Sequence, residues 1–497
     1  MALFVFVCVL LLSVVIALVA RKNLIKNNMH DIMTASGSFG PFLLFFISVG
    51  EIYSIGTLLG GPGAIYARGA NYGTWFICYF PLAYAVGYFL NPLIWRLGKL
   101  ANGVTVSDIL GWRYNSKAIQ VLSAVIGILF LIPWIQNQFA GLAILMNYLG
   151  LGISFELAVV LSAVVAFLYI AVAGIRAPAY VSILKDILLI GAVALVGAAA
   201  IISMPGGVGE IFRQVAVKMP KMLTVTAKPI TAGATFTLST ILFQMVGFYV
   251  LPITMQGTLS SKNETILRRN AIIMPLYMVM FPFLIIAAYY AMVTIPGLAK
   301  ADFAFLAVAV KLLPPWVIGL IAGGAALTGI LVVAFTGLCI GGMFSKNILG
   351  VIKPNMNQTS MVWCTQAITG VALLGGAILA LYFPALMLSV VTVSYSGLTQ
   401  AFVGILLACT WKGTTKWGIG AGLIVSIVYL FVARTVPYGL NMGCVALVIN
   451  FVVVVLVSLV TKIDSESNAR FEAFKRFDIT RGGETDGVAV RKMRSAG

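Results

Sequence analysis

Residues 50–66 read GEIYSIGTLLGGPGAIY, and residues 247–257 read GFYVLPITMQG. Both lie within apolar runs long enough to cross a bilayer, and glycine and proline interrupt both. Glycine frees the backbone and proline removes a helical N–H, so a helix through either stretch breaks. A break in the lipid interior leaves N–H and C=O groups that must meet an ion, a solute or other protein groups. Paired broken helices five spans apart point to a transporter built from inverted repeats, because an odd offset reverses the second repeat. The alternative, that Gly and Pro serve close helix packing, needs no pairing.

Outward from these stretches, the 497-residue chain is 61% hydrophobic and 9% charged. Apolar runs recur near residues 3–20, 39–60, 73–95, 118–148, 153–174, 180–203, 233–255, 271–295, 315–344, 361–382, 384–408, 416–434 and 440–461. Numbered in that order, they predict an all-α integral membrane protein of about 13 helices. No basic residue precedes the first run, and Arg21, Lys22 and Lys26 follow it, so it reads as an uncleaved helix with its N-terminus outside. In that orientation 23 of the 32 Lys and Arg residues lie in cytoplasmic segments, 8 lie opposite, and Lys185 is the remainder. The net charge of +18 is therefore a topology signal. No basic patch with interleaved aromatics suggests nucleic acid as a partner. Trp75, Trp95, Trp112, Trp134, Trp316, Trp363, Trp411 and Trp417 mostly fall near span ends, as interfacial anchors do. Pro133 with Trp134 reads as a kink beside packing.

Several chemistries are excluded. The six cysteines fall singly within spans and without CxxC spacing, so they read as packing residues. His30 is the one histidine, which rules out a histidine metal site or a Ser/His/Asp triad. No Walker-type phosphate loop occurs, so transport must draw on an ion gradient or a partner. A channel would call for a symmetric oligomer with polar rings, which an asymmetric five-plus-five arrangement does not provide.

Almost the only charged groups set inside the apolar runs are Glu51 and the pair Lys185/Asp186. A charge at the bilayer centre costs roughly 2.5–3.5 kcal/mol on insertion scales, so each needs a partner or a water-lined cavity. Lys185 lies nine residues after Arg176 and can alternatively snorkel towards the cytoplasm. Adjacent residues diverge by about 100° on a helix, so Lys185 and Asp186 are not expected to face one cavity centre together.

The 50–66 stretch resembles the first core helix of the solute/sodium symporter family. Thr105-Val106-Ser107-Asp108-Ile109-Leu110 followed by Arg113-Tyr114 resembles that family's T-x-x-D-F-L-x-x-R-[FY] loop. Further matches are Ala173–Ala179, Lys185-Asp186, Leu259–Asn270 (LSSKNETILRRN) and Phe344–Ile348, and the combination is similar to the branch containing monocarboxylate permeases. The resemblance covers roughly residues 40–460.

It implies a LeuT-type fold of two inverted five-helix repeats and secondary symport of a small organic solute. The division is residues 1–38 as an extra helix and loop, 39–203 as the first repeat, 204–232 as an extracellular loop and 233–410 as the second repeat. Residues 411–461 would form two added helices, and 462–497 a mobile polar tail in the cytoplasm. A monomer without cofactor is expected, coupled to Na+ or H+. Positions matching the family's solute site are Glu51, Tyr53 and Thr57 on span 2, Gln138 on span 4, and Phe243, Gln244 and Tyr249 on span 7.

The family's principal sodium site matches the carbonyls of Gly50 and Tyr53 and paired hydroxyls on span 9. Here span 9 carries only Thr328 and Thr336, neither with a hydroxyl neighbour. On span 6, Ser182 and Lys185 replace the Asp and Gln of the family's T-D-x-x-Q. A hard cation wants several oxygens, so the sodium site reads as degenerate. A fixed ammonium from Lys185, with Asp186 beside it, stands where sodium otherwise rests, which points to a proton as coupling ion. For the solute, a monocarboxylate is expected; an ionised Glu51 would instead suit an amino acid's ammonium, and proline or pantothenate with sodium remain open.

Overall fold

The computed structural model describes residues 1–25, 27–148, 154–225, 233–383 and 387–477. Lys26, Lys228, the starts of spans 5 and 11, and the tail beyond Phe477 with Arg481, Arg491, Lys492 and Arg494 lie outside them. Every regular element among the described residues is helical. Among the described residues ten helices are long and apolar enough to cross a membrane, or up to twelve if each of two bent pairs is one span. Span 12, Lys416–Val432, is a shorter apolar helix of 17 residues packed along span 13, Met442–Val460.

The two bent pairs are the two stretches that opened the sequence reading. Span 2 consists of Pro41–Ile52 and Gly56–Arg68, bent by 52°, and span 7 of Ala234–Val250 and Pro252–Ser260, bent by 46°. In span 2 the helix ends at Tyr53, whose ψ of 84° is not helical. In span 7 the break falls at Leu251, φ −58° and ψ 135°, because the ring of Pro252 keeps its predecessor out of helical geometry. Pro252 then opens the next half-helix, where its missing N–H costs nothing.

Span 9, Pro315–Ile352, is buried nearly throughout and packs against span 1 (Ala2–Ala20), span 4 (Lys117–Tyr148), span 6 (Arg176–Ser203) and span 10 (Gln358–Tyr382). Helices apolar on every side occupy such central positions.

Two expectations are corrected. The segment after Lys462 is not all mobile: Ser465–Lys475 is a helix capped by Asp464, with Phe471 and Phe474 buried. Buried Arg113 donates from Nη1 to the Ser467 carbonyl and hydroxyl at 3.0 and 2.8 Å, and its guanidinium lies between the rings of Tyr114 and Phe471. Three phenylalanines at three-residue spacing, 471, 474 and 477, give this polar segment an apolar face. Second, Trp75 is an interior packing residue rather than an interfacial anchor; Trp134 is buried, as its reading beside Pro133 expects, and Trp316, Trp363 and Trp417 are exposed.

Candidate functional site

Span 6 passes the break of span 2 at very close range. A Cβ added to Gly50 would lie 2.8 Å from the Ser182 Cβ, so the approach needs a glycine on one helix and a small residue on the other. Through this gap Lys185, fully buried, donates from Nζ to the Tyr53 carbonyl at 3.2 Å. That carbonyl is free because the helix has ended there. The amine also pairs with Asp186, whose Oδ1 accepts a hydrogen bond from the Tyr277 hydroxyl at 2.8 Å. The Tyr277 ring stacks on the Tyr53 ring at 4.4 Å, and the Tyr53 hydroxyl bonds to that of Tyr84.

Lys185 therefore does not snorkel. The expectation that Lys185 and Asp186 diverge is also corrected: the helix does turn about 100° between them, but the long lysine stem reaches back across that arc. Other candidates are spread around the break. Glu51 is helical rather than unwound; it is buried, its Oε1 lacks a partner, and it faces Gly257 on the second half of span 7. Thr57 is buried just past the break. Thr328 and Thr336 donate to the Gly324 and Val332 carbonyls at 2.6 and 2.7 Å, and Ser182 donates to the Ala179 carbonyl at 2.7 Å. Each of these hydroxyls is thus engaged within its own helix.

On the far side of the break, Gln138 and Gln244 are fully buried and neither amide has a hydrogen-bond partner. Phe243 meets the Tyr395 ring at 6.5 Å, and Trp134 meets the same ring at 5.7 Å, so spans 4, 7 and 11 converge there. Tyr249 packs elsewhere, against Gly87 on span 3, with its hydroxyl 3.7 Å from the Met274 sulfur. The sequence reading passed over Asn137, Ser394 and Thr399, all buried with unpartnered side-chain polar atoms. Asn137 abuts Gly56, where an added Cβ would lie 2.7 Å from its Nδ2. Lone neutral side chains in apolar runs carry no charge or spacing signal to single them out. Among the described residues no cluster of His, Cys, Asp and Glu could hold a metal.

At one end the start of span 2 is tied to the end of span 7. Phe39 N–H donates to the Ser260 carbonyl at 2.9 Å, and Lys262 N–H to the Phe39 carbonyl at 3.0 Å. Gln256 Nε2 donates to the Met33 carbonyl at 2.7 Å, and Arg176 pairs with Asp31 at 2.7 Å.

Two spans broken part-way, with buried polar groups beside the breaks, are the arrangement a secondary active symporter uses. The chain belongs to the sodium:solute symporter family, whose model matches residues 32–426. It is 30% identical over 476 residues to the uncharacterized symporter YhjB of Bacillus subtilis, spanning 91% of this chain and 96% of that one. It is 25% identical over 351 residues to a monocarboxylate transport permease protein of Rhizobium johnstonii, 70% of each chain. In fold it is similar to a Na+-coupled sialic acid symporter solved in a substrate-bound outward-open state, at TM-score 0.78 and 16% identity over 94% of this chain and 99% of that one. Its spans and relatives make it a multi-pass protein of the plasma membrane.

Proposed function

We propose that this chain takes up a small monocarboxylate by alternating access, with a proton on Lys185 as the coupling ion. The observation that carries the reading is the Lys185 ammonium on the Tyr53 carbonyl, the group a broken helix offers to a cation. Span 9 offers only the isolated hydroxyls Thr328 and Thr336, eight residues apart and without a hydroxyl neighbour, so few oxygens are available for sodium there. The similarity to a monocarboxylate permease supports the solute class, and the solute would lie between the breaks of spans 2 and 7 with Gln138 and Gln244 beside it.

The solute's carboxylate would compete with Ser54, whose hydroxyl and carbonyl accept from the N–H groups of Gly56, Thr57 and Leu58 at the start of the second half-helix. Loss of the proton from Lys185 would free the carbonyl end of span 2 and leave Asp186 to Tyr277, as departure of an alkali ion does in a sodium-coupled carrier. The end bearing Arg96, Lys346, Lys412 and the 465–475 helix would face the cytoplasm and the N-terminus the outside. Purified protein in liposomes provides the test, with labelled monocarboxylate uptake driven by an inward proton or an inward sodium gradient. Proton-driven accumulation lost in Lys185→Ala is the expected result. Sodium-driven accumulation that persists in Lys185→Ala disposes of the reading.

A further inference from the structure

Two short helices between spans 8 and 9, Ala301–Phe303 and Ala304–Leu312, pack against Gly56–Gly60, the turn just past the break of span 2. Phe305 and Leu306 are completely buried there. Two contacts seat this segment on the second half of span 2. The Tyr66 hydroxyl donates to the Ile295 carbonyl at 2.9 Å and accepts from the Leu298 N–H at 3.3 Å. At Gly63 the approach is closer still: an added Cβ would lie 2.5 Å from Asp302 Oδ1 and 2.7 Å from the Asp302 Cα. Residues 295–312 thus form a flap over the turn that follows the break.

Asp302 sits under that flap at 5% exposure, with Oδ1 unpartnered and its carboxyl met by the Met387 N–H at the start of span 11. One donor is a poor replacement for water around a carboxylate, whereas a neutral carboxylic acid is far cheaper to bury. Few charges on the surrounding elements are free to compensate. Arg68 donates to the Tyr72 hydroxyl at 3.0 Å and Lys311 to the Thr294 carbonyl at 3.2 Å. Tyr66 is taken up by the flap itself, and Tyr148 at the end of span 4 meets the Phe303 ring at 4.8 Å. Burial pushes the carboxyl up to about 7, against the Met387 N–H and the exposed Lys300, which pull it down.

With the flap lifted into water, the same carboxyl returns to the ordinary ~3.9 and is ionised at neutral pH. The seated and lifted positions therefore bind different numbers of protons, and pH shifts the balance between them. A value raised in the seated position means that protons favour seating. The preference is complete below the ordinary value and is lost as pH rises through the raised one.

We propose that Asp302 is a proton-operated latch: the 295–312 flap seats on span 2 with a proton on Asp302 and lifts when that proton leaves. Access to the break from this end is then set by the pH of the solution there, which in the orientation proposed above is the outside. The latch is separate from the proton placed on Lys185 and operates whichever cation drives transport.

The experiment measures the flap directly. With the six native cysteines replaced, nitroxides on Ala67→Cys and Ala299→Cys, both exposed, report the separation of flap and span 2 in the full chain in liposomes, without solute or gradient. At about pH 5 a single short separation is expected, and towards about pH 8 a longer one should grow, the lifted-to-seated ratio rising by up to ~10-fold per pH unit between the two values. Asp302→Asn, neutral throughout, should hold the short separation at both pH values; Asp302→Ser answers the same question should the amide not fold. Tyr66→Phe loosens the other contact and should favour lifting at both pH values while keeping the pH response. A native distribution indifferent to pH overturns the latch. A pH response that survives in the Asp302 variants overturns Asp302 as its source. Because no transport is measured, either result leaves the Lys185 reading to its own test.

Discussion

Lys185 and Asp186 are both fully buried, and their pairing makes each tolerable to the other. Removing one partner of such a pair leaves a charge without compensation, which typically costs about 3–5 kcal/mol, while removing both is far milder. Lys185→Met should therefore lower the thermal unfolding midpoint in detergent well below that of Lys185→Met/Asp186→Leu; equal midpoints would mean the pair carries no buried charge. Asp302, on the short helix Ala301–Phe303 between spans 8 and 9, behaves differently. Its Oδ1 has no partner, and burial pushes the carboxyl up to about 7, against the Met387 N–H and Lys300, which pull it down. A carboxyl raised above its unfolded value of ~3.9 contributes stability that is present in full below that value and lost as pH rises through the folded one. Thermal midpoints measured between pH 4 and 7 should thus fall for the native protein and stay flatter for Asp302→Asn. At this scale a charge in an apolar run is conspicuous in the sequence, which is why Lys185 stood out. Asn137 did not, because a neutral amide becomes informative only when its partners can be counted. The pairing of Lys185 with Asp186 was misjudged by following Cβ directions and neglecting the length of the lysine stem.

Helices meet at the distance their smallest residues permit, and span 2 reaches span 6 through Gly50 and Ser182. Gly50→Ala would set a methyl 2.8 Å from the Ser182 Cβ, a contact that one helix must move to relieve. Because that movement would shift the Tyr53 carbonyl from the Lys185 amine, solute exchange should fall sharply. Gly50→Ala/Ser182→Gly removes the opposing Cβ and should recover part of it, less the roughly 1 kcal/mol that glycine costs inside a helix. A double variant no better than the single one would show that the contact is not what Gly50 protects. The breaks themselves were readable, since glycine runs and Pro252 act on the local backbone whatever surrounds them. The 465–475 helix was not read, because its many charges outweighed the three phenylalanines that dock it, and its partners Arg113 and Trp95 lie more than 350 residues away in sequence.

Across the whole molecule, the family's architecture followed from a series of motifs in a fixed order, but the tie between its half-helices did not. The tie at one end is made by backbone groups of Phe39, Ser260 and Lys262, and a backbone hydrogen bond leaves no mark on residue type. The isolated parallel bridge between Phe39 and Ser261 ties the first half of span 2 to the second half of span 7, reinforced by Trp95 Nε1 donating to the Ser261 carbonyl at 2.9 Å. Alternating access requires these two half-helices to separate, so the bridge must break once in each cycle if this end is a gate. With the six native cysteines replaced, Phe39→Cys/Ser261→Cys offers a direct measurement. Joining the two thiols with a short bifunctional reagent should abolish solute exchange in liposomes, and a reducible linker should restore it on cleavage. Binding from the opposite side should survive the crosslink, because it requires no movement here, and equilibrium binding of labelled solute separates the two effects. Exchange that continues unchanged after complete crosslinking would mean that the half-helices never part and that the solute leaves by another route.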